Sequence, residues 1–569
     1  MPYTAPVSEF KFLLAHVVDL ASVAATDRFA EATPDTVDAI LTEAGRLCDD
    51  VLAPLQITGD RHPARLENGV VRMAPGFAEA YGALAAGGWI GLAADPAHGG
   101  MGLPGTLNTA LNDMMSGACL SLQICPLLSQ GQIDALEAHA DPDLAALYLP
   151  RLVSGDWTGT MNLTEPQAGS DVGAVQARAV SQGDGHYAIS GQKIYISYGD
   201  HDMAGNVCHL VLARLPDAPA GTRGLSLFLV PKLLPDDAGA PGVRNAVAVV
   251  SLEHKLGLHA APTCVMQFDG ATGWLVGGAG GGMAAMFTMM NNARLGVATQ
   301  GIGVAEAAYQ RALDYAHDRV QGRPPRGGAS ILGHADVRRM LAGMRADIMA
   351  ARAIALDCAV SIDMARATGG ADWIARAAFL TPIAKAFGTD TGVAVADAGI
   401  QVHGGMGVIE DTGAAQFWRD VRVTAIYEGT NGIQALDLVG RKLADGGDAA
   451  LRLLKEVEDT ATAARPRFPG QAESVWDAAQ ALRDATEWML AEPDMAERGA
   501  GAAAYLRAFA LVLGGMYHLR AALVGDADRA ALMRAFVARQ VPQAAALLAE
   551  ARAGAADLYA VDLGDDPAA

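Results

Sequence analysis

The sequence predicts an α+β protein that is mostly α, with its strands confined to one central block. Three observations carry this. Apolar residues recur at helical spacing through the first quarter of the chain. Short β-rich runs separated by Gly, Asp and Pro follow. Long helical periodicity then returns and runs to the C-terminus. Because helices and strands are segregated rather than alternating, a doubly wound dinucleotide-binding fold is not expected. The expected domains are an N-terminal helical domain (1–157), a middle β-sheet domain of barrel or sandwich type (158–276), a C-terminal helical bundle (277–443) and an appended helical domain (444–569).

In the first domain, Thr36–Leu55 has apolar residues at helical spacing with acids on the opposite face. Phe77–Leu92 repeats the pattern, weakened by Gly87 and Gly88. Ala97–Gly105 (AHGGMGLPG) is a Gly/Pro break. The strand candidates are His186–Ser190, Lys193–Ser197, Val207–Ala213, Ser226–Val230, Ala246–Ser251 and Val265–Phe268. Gly277–Met283 (GGAGGGM) reads as a hinge. Helical periodicity around Met289–Asp318, Ala335–Met364 and Ile374–Ala398 predicts an antiparallel bundle. Lys442–Asp448 is a polar break, and the alanine-rich remainder favours helix.

Of the 569 residues, 51% are apolar and 18% charged, which supports a large core and excludes a disordered chain. The net charge of −21 argues against nucleic-acid and anionic-membrane partners. The six cysteines form no CxxC pair, so no metal site or disulfide framework is expected, and scattered thiols fit a reducing cytoplasm. The N-terminal string lacks the pattern of a signal or transit peptide. No uncharged apolar run reaches about 18 residues, so no membrane span is expected.

Four strings carry chemistry. In Met161–Asp171 (MNLTEPQAGSD), Thr164 and Ser170 offer hydroxyls and Gly169 leaves the backbone open to a polar ligand. The same hydroxyls equally suit the loop's own backbone. In Lys193–Ser197 (KIYIS), strand alternation puts Tyr195 and Ser197 on one face. That pair suits a flat heterocycle, or cross-strand packing. Arg294 and Arg319 are separated by about seven helical turns. Arg319 near Gln321 and Gly322 suits a phosphate clamp, or an ion pair with Asp314 or Asp318.

The fourth string is the richest: Gln401–Gly407 (QVHGGMG), Arg419–Asp420, then Ile426–Gln434 (IYEGTNGIQ). Glycines after a helix let backbone approach a phosphate. Glu428 stands between Tyr427 and Gly429, a tight setting where desolvation would raise a carboxylate's pKa and suit a general base. Glu428 equally reads as a helix-capping acid beside Thr430.

Together, LTEPQAGSD, KIYIS, QVHGGMG and IYEGTNGIQ resemble the acyl-CoA dehydrogenase family in order and spacing, over roughly residues 40–443. The string PYTAPVSEFKFLL and the region after Leu443 resemble the family's long branch, which includes 3-(methylthio)propionyl-CoA dehydrogenases. The resemblance implies FAD as cofactor and α,β-dehydrogenation of an acyl-CoA thioester, with Glu428 as catalytic base. It implies that Leu163, Thr164, Gly169 and Ser170 line the flavin and its phosphates. Tyr195 stands where the family commonly has tryptophan, and Ser197 where it has threonine. Arg319 and Gln321 match the group gripping the pyrophosphate and adenosine end. Gln401, Gly404 and Gly405 match a loop reaching FAD across a dimer interface, and Thr430 and Asn431 match further FAD contacts. Ser170, Arg294, Tyr427 and Gly429 fall on the substrate side. A homodimer or larger oligomer and an electron-transfer flavoprotein as acceptor are implied; no metal is. His259 and Pro262 depart from the family's usual substrate-side loop.

Overall fold

The computed structural model describes residues 3–564. The extreme ends of the two outer predicted domains, including Pro2 of the N-terminal string, lie outside the described residues. The described residues form two compact units, one of residues 3–5 with 31–296 and the other of residues 6–30 with 297–564.

The first unit holds all the strands: β1 (Arg65–Glu67), β2 (Val70–Arg72), β3 (Trp157–Asn162), β4 (Arg178–Ser181), β5 (His186–Ser197), β6 (Asn206–Arg214), β7 (Leu225–Pro231), β8 (Leu233–Pro235), β9 (Pro241–Arg244), β10 (Val247–Leu252) and β11 (Thr263–Val276). Seven form one sheet in the order β10-β11-β5-β4-β6-β3, and β7 pairs with both β11 and β6. The ring β11-β5-β4-β6-β7 therefore closes on itself as a barrel, which removes its open edges. β6 and β7 are buried along almost their whole length, as expected for strands covered on both faces.

The β1–β2 hairpin interrupts a region expected to be wholly helical. Asn68 (φ 52°) and Gly69 (φ 76°) make the turn, and Asn-Gly is the pair that accepts positive φ at both central positions of a tight hairpin. Trp157–Asn162, Arg178–Ser181, Leu233–Pro235 and Pro241–Arg244 are further strands beyond the six expected. Gly277–Met283 is less free than a hinge: the Ser226 hydroxyl accepts the Gly280 N–H at 2.9 Å, and a Cβ on Gly282 would lie 2.5 Å from the Ser226 backbone.

In the same unit, the helix Gly105–His139 breaks at Cys119 (φ −157°, ψ 89°). Its two halves are joined by a buried amide ladder. Asn108 and Gln130 exchange hydrogen bonds at 3.2 and 3.0 Å, Asn112 donates to Gln130 at 3.0 Å, and Gln123 donates to Asn112 at 3.0 Å. Mutual pairing removes the desolvation cost these amides would otherwise carry.

The second unit is helical. Ala335–Thr368 and Ala371–His403 are its long central helices, joined through Gly369 in the left-handed conformation (φ 65°). Met495–Val524 is long and apolar enough to cross a membrane, but 78% of its apolar window is buried inside the protein; it is a core helix. It carries Tyr517, whose hydroxyl donates to Asp357 at 2.5 Å. Asp357 also accepts from Arg376 at 2.6 Å, and Arg376 forks onto Glu456. The N-terminal helix Val7–His16 belongs here too. Glu9 pairs with Arg529 at 2.5 Å, and the Arg529 guanidinium lies 4.1 Å from the Phe12 ring centroid. Arg520 likewise pairs within this unit, with Glu456 at 3.3 Å.

Arg376→Met would strand the Asp357 carboxylate in the core. Removing one member of a buried ion pair costs about 3–5 kcal/mol, so the apparent melting temperature should fall by several degrees. A thermal melt of the variant beside the parent checks this.

Candidate active site

Each unit carries part of the residues expected to act. In the sheet unit, the loop Leu163–Ser170 and the strand β5 are brought together. Their junction is a β-bulge. Between Cys264 and Met266 on β11, β5 advances from Ile196 back to Lys193, one residue too many. Tyr195 takes up the excess with φ 60°. The bulge frees the Ile194 N–H, which donates to the Thr164 carbonyl at 2.9 Å. It also shifts the phase of the strand, so that Lys193 and Ile196 are both buried and Tyr195 is 61% exposed. Tyr195 and Ser197 thus flank the buried Ile196, and the loop Leu163–Ser170 is tied to the same strand.

Lys193 secures the loop from below. It is fully buried, donates to the Leu163 carbonyl at 2.9 Å and pairs with Glu165 at 2.7 Å. Glu165 in turn accepts backbone N–H groups from Gln176 (2.7 Å) and Ala177 (3.0 Å) and the side chain of Gln167 (2.7 Å). Burial raises the Glu165 pKa, but Lys193 and the two amides outweigh it and hold the carboxyl below its usual range. Burial lowers Lys193 to about 8 against the opposing pull of Glu165. Beyond this anchor Gly169 and Ser170 are exposed, and a Cβ on Gly169 would meet nothing. Arg294 is buried in this unit, its guanidinium 5.9 Å from the Phe287 ring centroid. His259 and Pro262 have local partners: His259 pairs with Asp60 at 2.8 Å, and the Pro262 carbonyl accepts the Tyr198 N–H at 2.8 Å.

The helical unit carries the rest. Arg319 and Gln321 were expected in a helix, but the helix Gly282–Asp318 ends one residue before Arg319. Both are exposed, on a turn pinned by Ile331 N–H to the Arg319 carbonyl (2.8 Å) and by the His334 ring at the Gln321 carbonyl (2.8 Å). Gly322 (φ 70°) allows that turn. Gln401, Gly404 and Gly405 sit exposed at the end of the helix Ala371–His403, with Gly404 at φ 60°. Nearby, a Cβ on Gly407 would lie 2.3 Å from the Ile400 carbonyl oxygen.

Glu428 has φ 57° and Gly429 φ 85°. A left-handed non-glycine residue is strained by roughly 1–2 kcal/mol and persists only where its surroundings impose it. Before it, the Tyr427 N–H bonds the Val423 carbonyl at 3.1 Å and the Tyr427 hydroxyl donates to Gln300. After it, Gln434 donates to the carbonyls of Glu428 (3.2 Å) and Gly429 (3.4 Å), and the buried Lys385 donates to the Gly429 carbonyl at 2.9 Å. Burial pushes the Tyr427 phenol far up, so it stays a neutral donor. The cap of the following helix, Asn431–Asp437, is Thr430, whose hydroxyl accepts the Ile433 N–H at 3.2 Å. The reading of Glu428 as the helix cap is thereby excluded. Asn431 bonds Lys385 at 2.9 Å and Asp390 at 2.7 Å.

Sequence matching agrees with this geometry. The acyl-CoA dehydrogenase middle domain matches residues 160–271 and the acyl-CoA dehydrogenase C-terminal domain residues 280–443. An acetyl-CoA dehydrogenase C-terminal-like domain matches residues 453–562. The chain is 48% identical over 468 residues to a 3-methylmercaptopropionyl-CoA dehydrogenase of Ruegeria pomeroyi, covering 81% of this chain and 80% of that one. The chain belongs to the acyl-CoA dehydrogenase family. A butyryl-CoA dehydrogenase of Syntrophomonas wolfei is 32% identical over 524 residues, covering 87% of this chain and 85% of that one. Among solved structures, Caenorhabditis elegans ACDH-11 in complex with C11-CoA shares the fold, with TM-score 0.79 and 22% identity over 91% of this chain and 89% of that one. Butyryl-CoA dehydrogenase from Megasphaera elsdenii superposes with TM-score 0.61 at 25% identity, over 72% of this chain and 98% of that one.

This acyl-CoA dehydrogenase is an FAD-dependent oxidoreductase acting on acyl-CoA. The residues present fit the cofactor: an open glycine–serine loop tip, an exposed aromatic beside a hydroxyl, and an exposed arginine turn. The family resemblance singled out residues that range from the exposed Ser170, Tyr195 and Arg319 to the buried Arg294. It missed Glu165, Lys193, Gln300, Lys385 and Gln434. Lys193 and Glu165 stood within the quoted strings, and a charged pair amid apolar residues was the available signal. Gln300 and Lys385 lie far from the strings in sequence and carry no such signal.

Lys193→Met would leave Glu165 buried without its cation, at a cost of about 3–5 kcal/mol. The folded Glu165 pKa lies below 4.5, so its stabilisation is present above that value and lost as pH falls through the folded value. Without Lys193 the folded pKa rises, and the acid limb of the stability profile should move to higher pH. Thermal melts across pH 3–7, an interval set by roughly 2 units about the carboxylate range, check the direction.

Proposed function

We propose that the chain oxidises 3-(methylthio)propanoyl-CoA to 3-(methylthio)acryloyl-CoA, with Glu428 as the base that removes the α-proton, in the breakdown of dimethylsulfoniopropionate. The observation that carries the role of Glu428 is its left-handed conformation, clamped on both sides by Tyr427–Gln300, Gln434 and Lys385. A strained, over-determined carboxylate in the matching family string is what an aimed base requires. The substrate follows from 48% identity to the Ruegeria pomeroyi enzyme over four-fifths of both chains.

A thioester α-proton is a weak acid, so a carboxylate alone removes it slowly. The developing charge on the thioester oxygen needs fixed donors, and the Glu428 backbone N–H is the family's donor from the protein. Bound FAD supplies the acceptor for the β-hydride. Leu163, Thr164, Gly169, Ser170, Tyr195 and Ser197 would hold its flavin end, Arg319 and Gln321 its pyrophosphate and adenosine end, and Thr430 and Asn431 further contacts. Ser170, Arg294, Tyr427 and Gly429 would serve the substrate. Electrons would leave to an electron-transfer flavoprotein.

Gln401, Gly404 and Gly405 would reach the cofactor of a second copy. Met406 (46% exposed), Val408 (69%) and Ile409 (45%) continue that loop as an apolar strip, which supports a homodimer or larger assembly. The six cysteines are buried, in keeping with a cytoplasmic enzyme.

Glu428→Gln should keep its FAD and lose turnover by several orders of magnitude; normal turnover would remove the base from position 428. Arg319→Ala should shed flavin on gel filtration, measured as the ratio of flavin to protein absorbance. Anaerobic bleaching of the bound flavin against a panel of acyl-CoAs tests the substrate. Faster bleaching by straight short- or medium-chain esters than by the methylthio ester would reassign it, and rapid peroxide formation without an external acceptor would make the enzyme an oxidase.

A further inference from the structure

The helix Ala371–His403 places one lysine, Lys385, fully inside the helical unit. Its ammonium donates to the Gly429 carbonyl at 2.9 Å and to Asn431 Oδ1 at 2.9 Å. Asn431 passes the interaction on: its Nδ2 donates to Asp390 Oδ1 at 2.7 Å and to Thr389 Oγ1 at 3.0 Å. Asp390 and Thr389 lie on the same helix, one turn beyond Lys385. The helix thus grips residues 429 and 431 from two successive turns, and residue 428 immediately precedes them in the chain.

The direction of the Cα–Cβ bond at 428 is fixed by the peptide planes on either side of it, since each peptide is rigid. Tyr427 anchors the preceding side. On the following side, Gln434 holds the Glu428 and Gly429 carbonyls through a neutral amide at 3.2 and 3.4 Å, long for such bonds. The Gly429 carbonyl lies in the next peptide plane, and its shorter contact, at 2.9 Å, comes from the ammonium; charge-assisted hydrogen bonds are roughly twice as strong as neutral ones, so that plane is held firmly and limits how Gly429, and the 428–429 peptide before it, can turn. Two consecutive left-handed residues, one of them not glycine, need that restraint.

We propose that Lys385 is a positioning residue for the reaction: through the Gly429 carbonyl and Asn431 it holds Glu428 in the left-handed conformation that aims its carboxylate at the substrate. This rests on Glu428 being the base. Lys385 itself touches neither substrate nor cofactor in this role. Gly429 and Asn431 keep their other partners, Gln434 for the one and Asp390 and Thr389 for the other, so its loss should slow proton removal far more than it loosens either ligand; a misplacement of a base by about 1 Å is enough for a hundredfold loss of rate.

The test uses the full-length enzyme loaded with FAD and two variants, Lys385→Met and the milder Lys385→Gln, beside Glu428→Gln. Flavin content, KM, kcat and the kinetic isotope effect with substrate deuterated at the α-carbon are measured. The expected result is parental flavin content, KM within about threefold, kcat down about 100-fold in Lys385→Met, and a larger isotope effect because proton removal becomes slower than the other steps. Lys385→Gln should change in the same sense by less. Parental kcat and isotope effect in both variants would overturn the proposal. So would loss of FAD or of folding in both, or a fall in kcat with an unchanged isotope effect, since each marks a lysine that serves only the fold. Active Glu428→Gln would instead overturn the base assignment; inactive Glu428→Gln beside unaltered Lys385 variants would sink the positioning role alone.

Discussion

In each compact unit a fully buried lysine donates to a backbone carbonyl of the loop that carries the site. Lys193 reaches the Leu163 carbonyl and Lys385 the Gly429 carbonyl, each at 2.9 Å. A loop has no ladder of its own to fix its peptide planes, and a buried ammonium supplies the restraint that a strand or helix would. The arrangement is demanding. An ammonium taken out of water must be surrounded by acceptors, or it destabilises the fold by several kcal/mol. Lys193 meets this with Glu165, and Lys385 with Asn431, which is tied in turn to Asp390.

The two restraints act on different kinds of strain. At Tyr195 the strain comes from an inserted residue: the bulge turns an aromatic ring outward and releases the Ile194 N–H to hold Thr164. At Glu428 there is no ladder to interrupt. The positive φ is imposed by a clamp made of Gln300, Gln434 and Lys385 acting on the residues either side. Both positions use a conformation that costs energy and place a side chain where an unstrained backbone would not.

The C-terminal helices are part of the helical unit and not a loose appendage. Asp357 on one central helix accepts from Arg376 on the other and from Tyr517 on Met495–Val524, while Arg529 collects Glu9 from the N-terminal helix. The helix that carries Lys385 is thus packed within a charged lattice, which keeps the strut rigid.

The sequence by itself determined the segregation of helix and strand, because side-chain periodicity is a local property. It determined the family, since the four strings stand in the family's order and spacing along the chain. It also contained the Asn68-Gly69 turn, a local signal for the β1–β2 hairpin. Tertiary structure alone decided the barrel closure through β7, the phase shift at Tyr195, and the end of the helix before Arg319. It also decided that Thr430 and not Glu428 caps the following helix, and it brought in Lys385, which lies 43 residues before Glu428. Long-range hydrogen bonds between groups distant in sequence leave no periodic trace, so nothing in the string around Lys385 announces the carbonyl it holds.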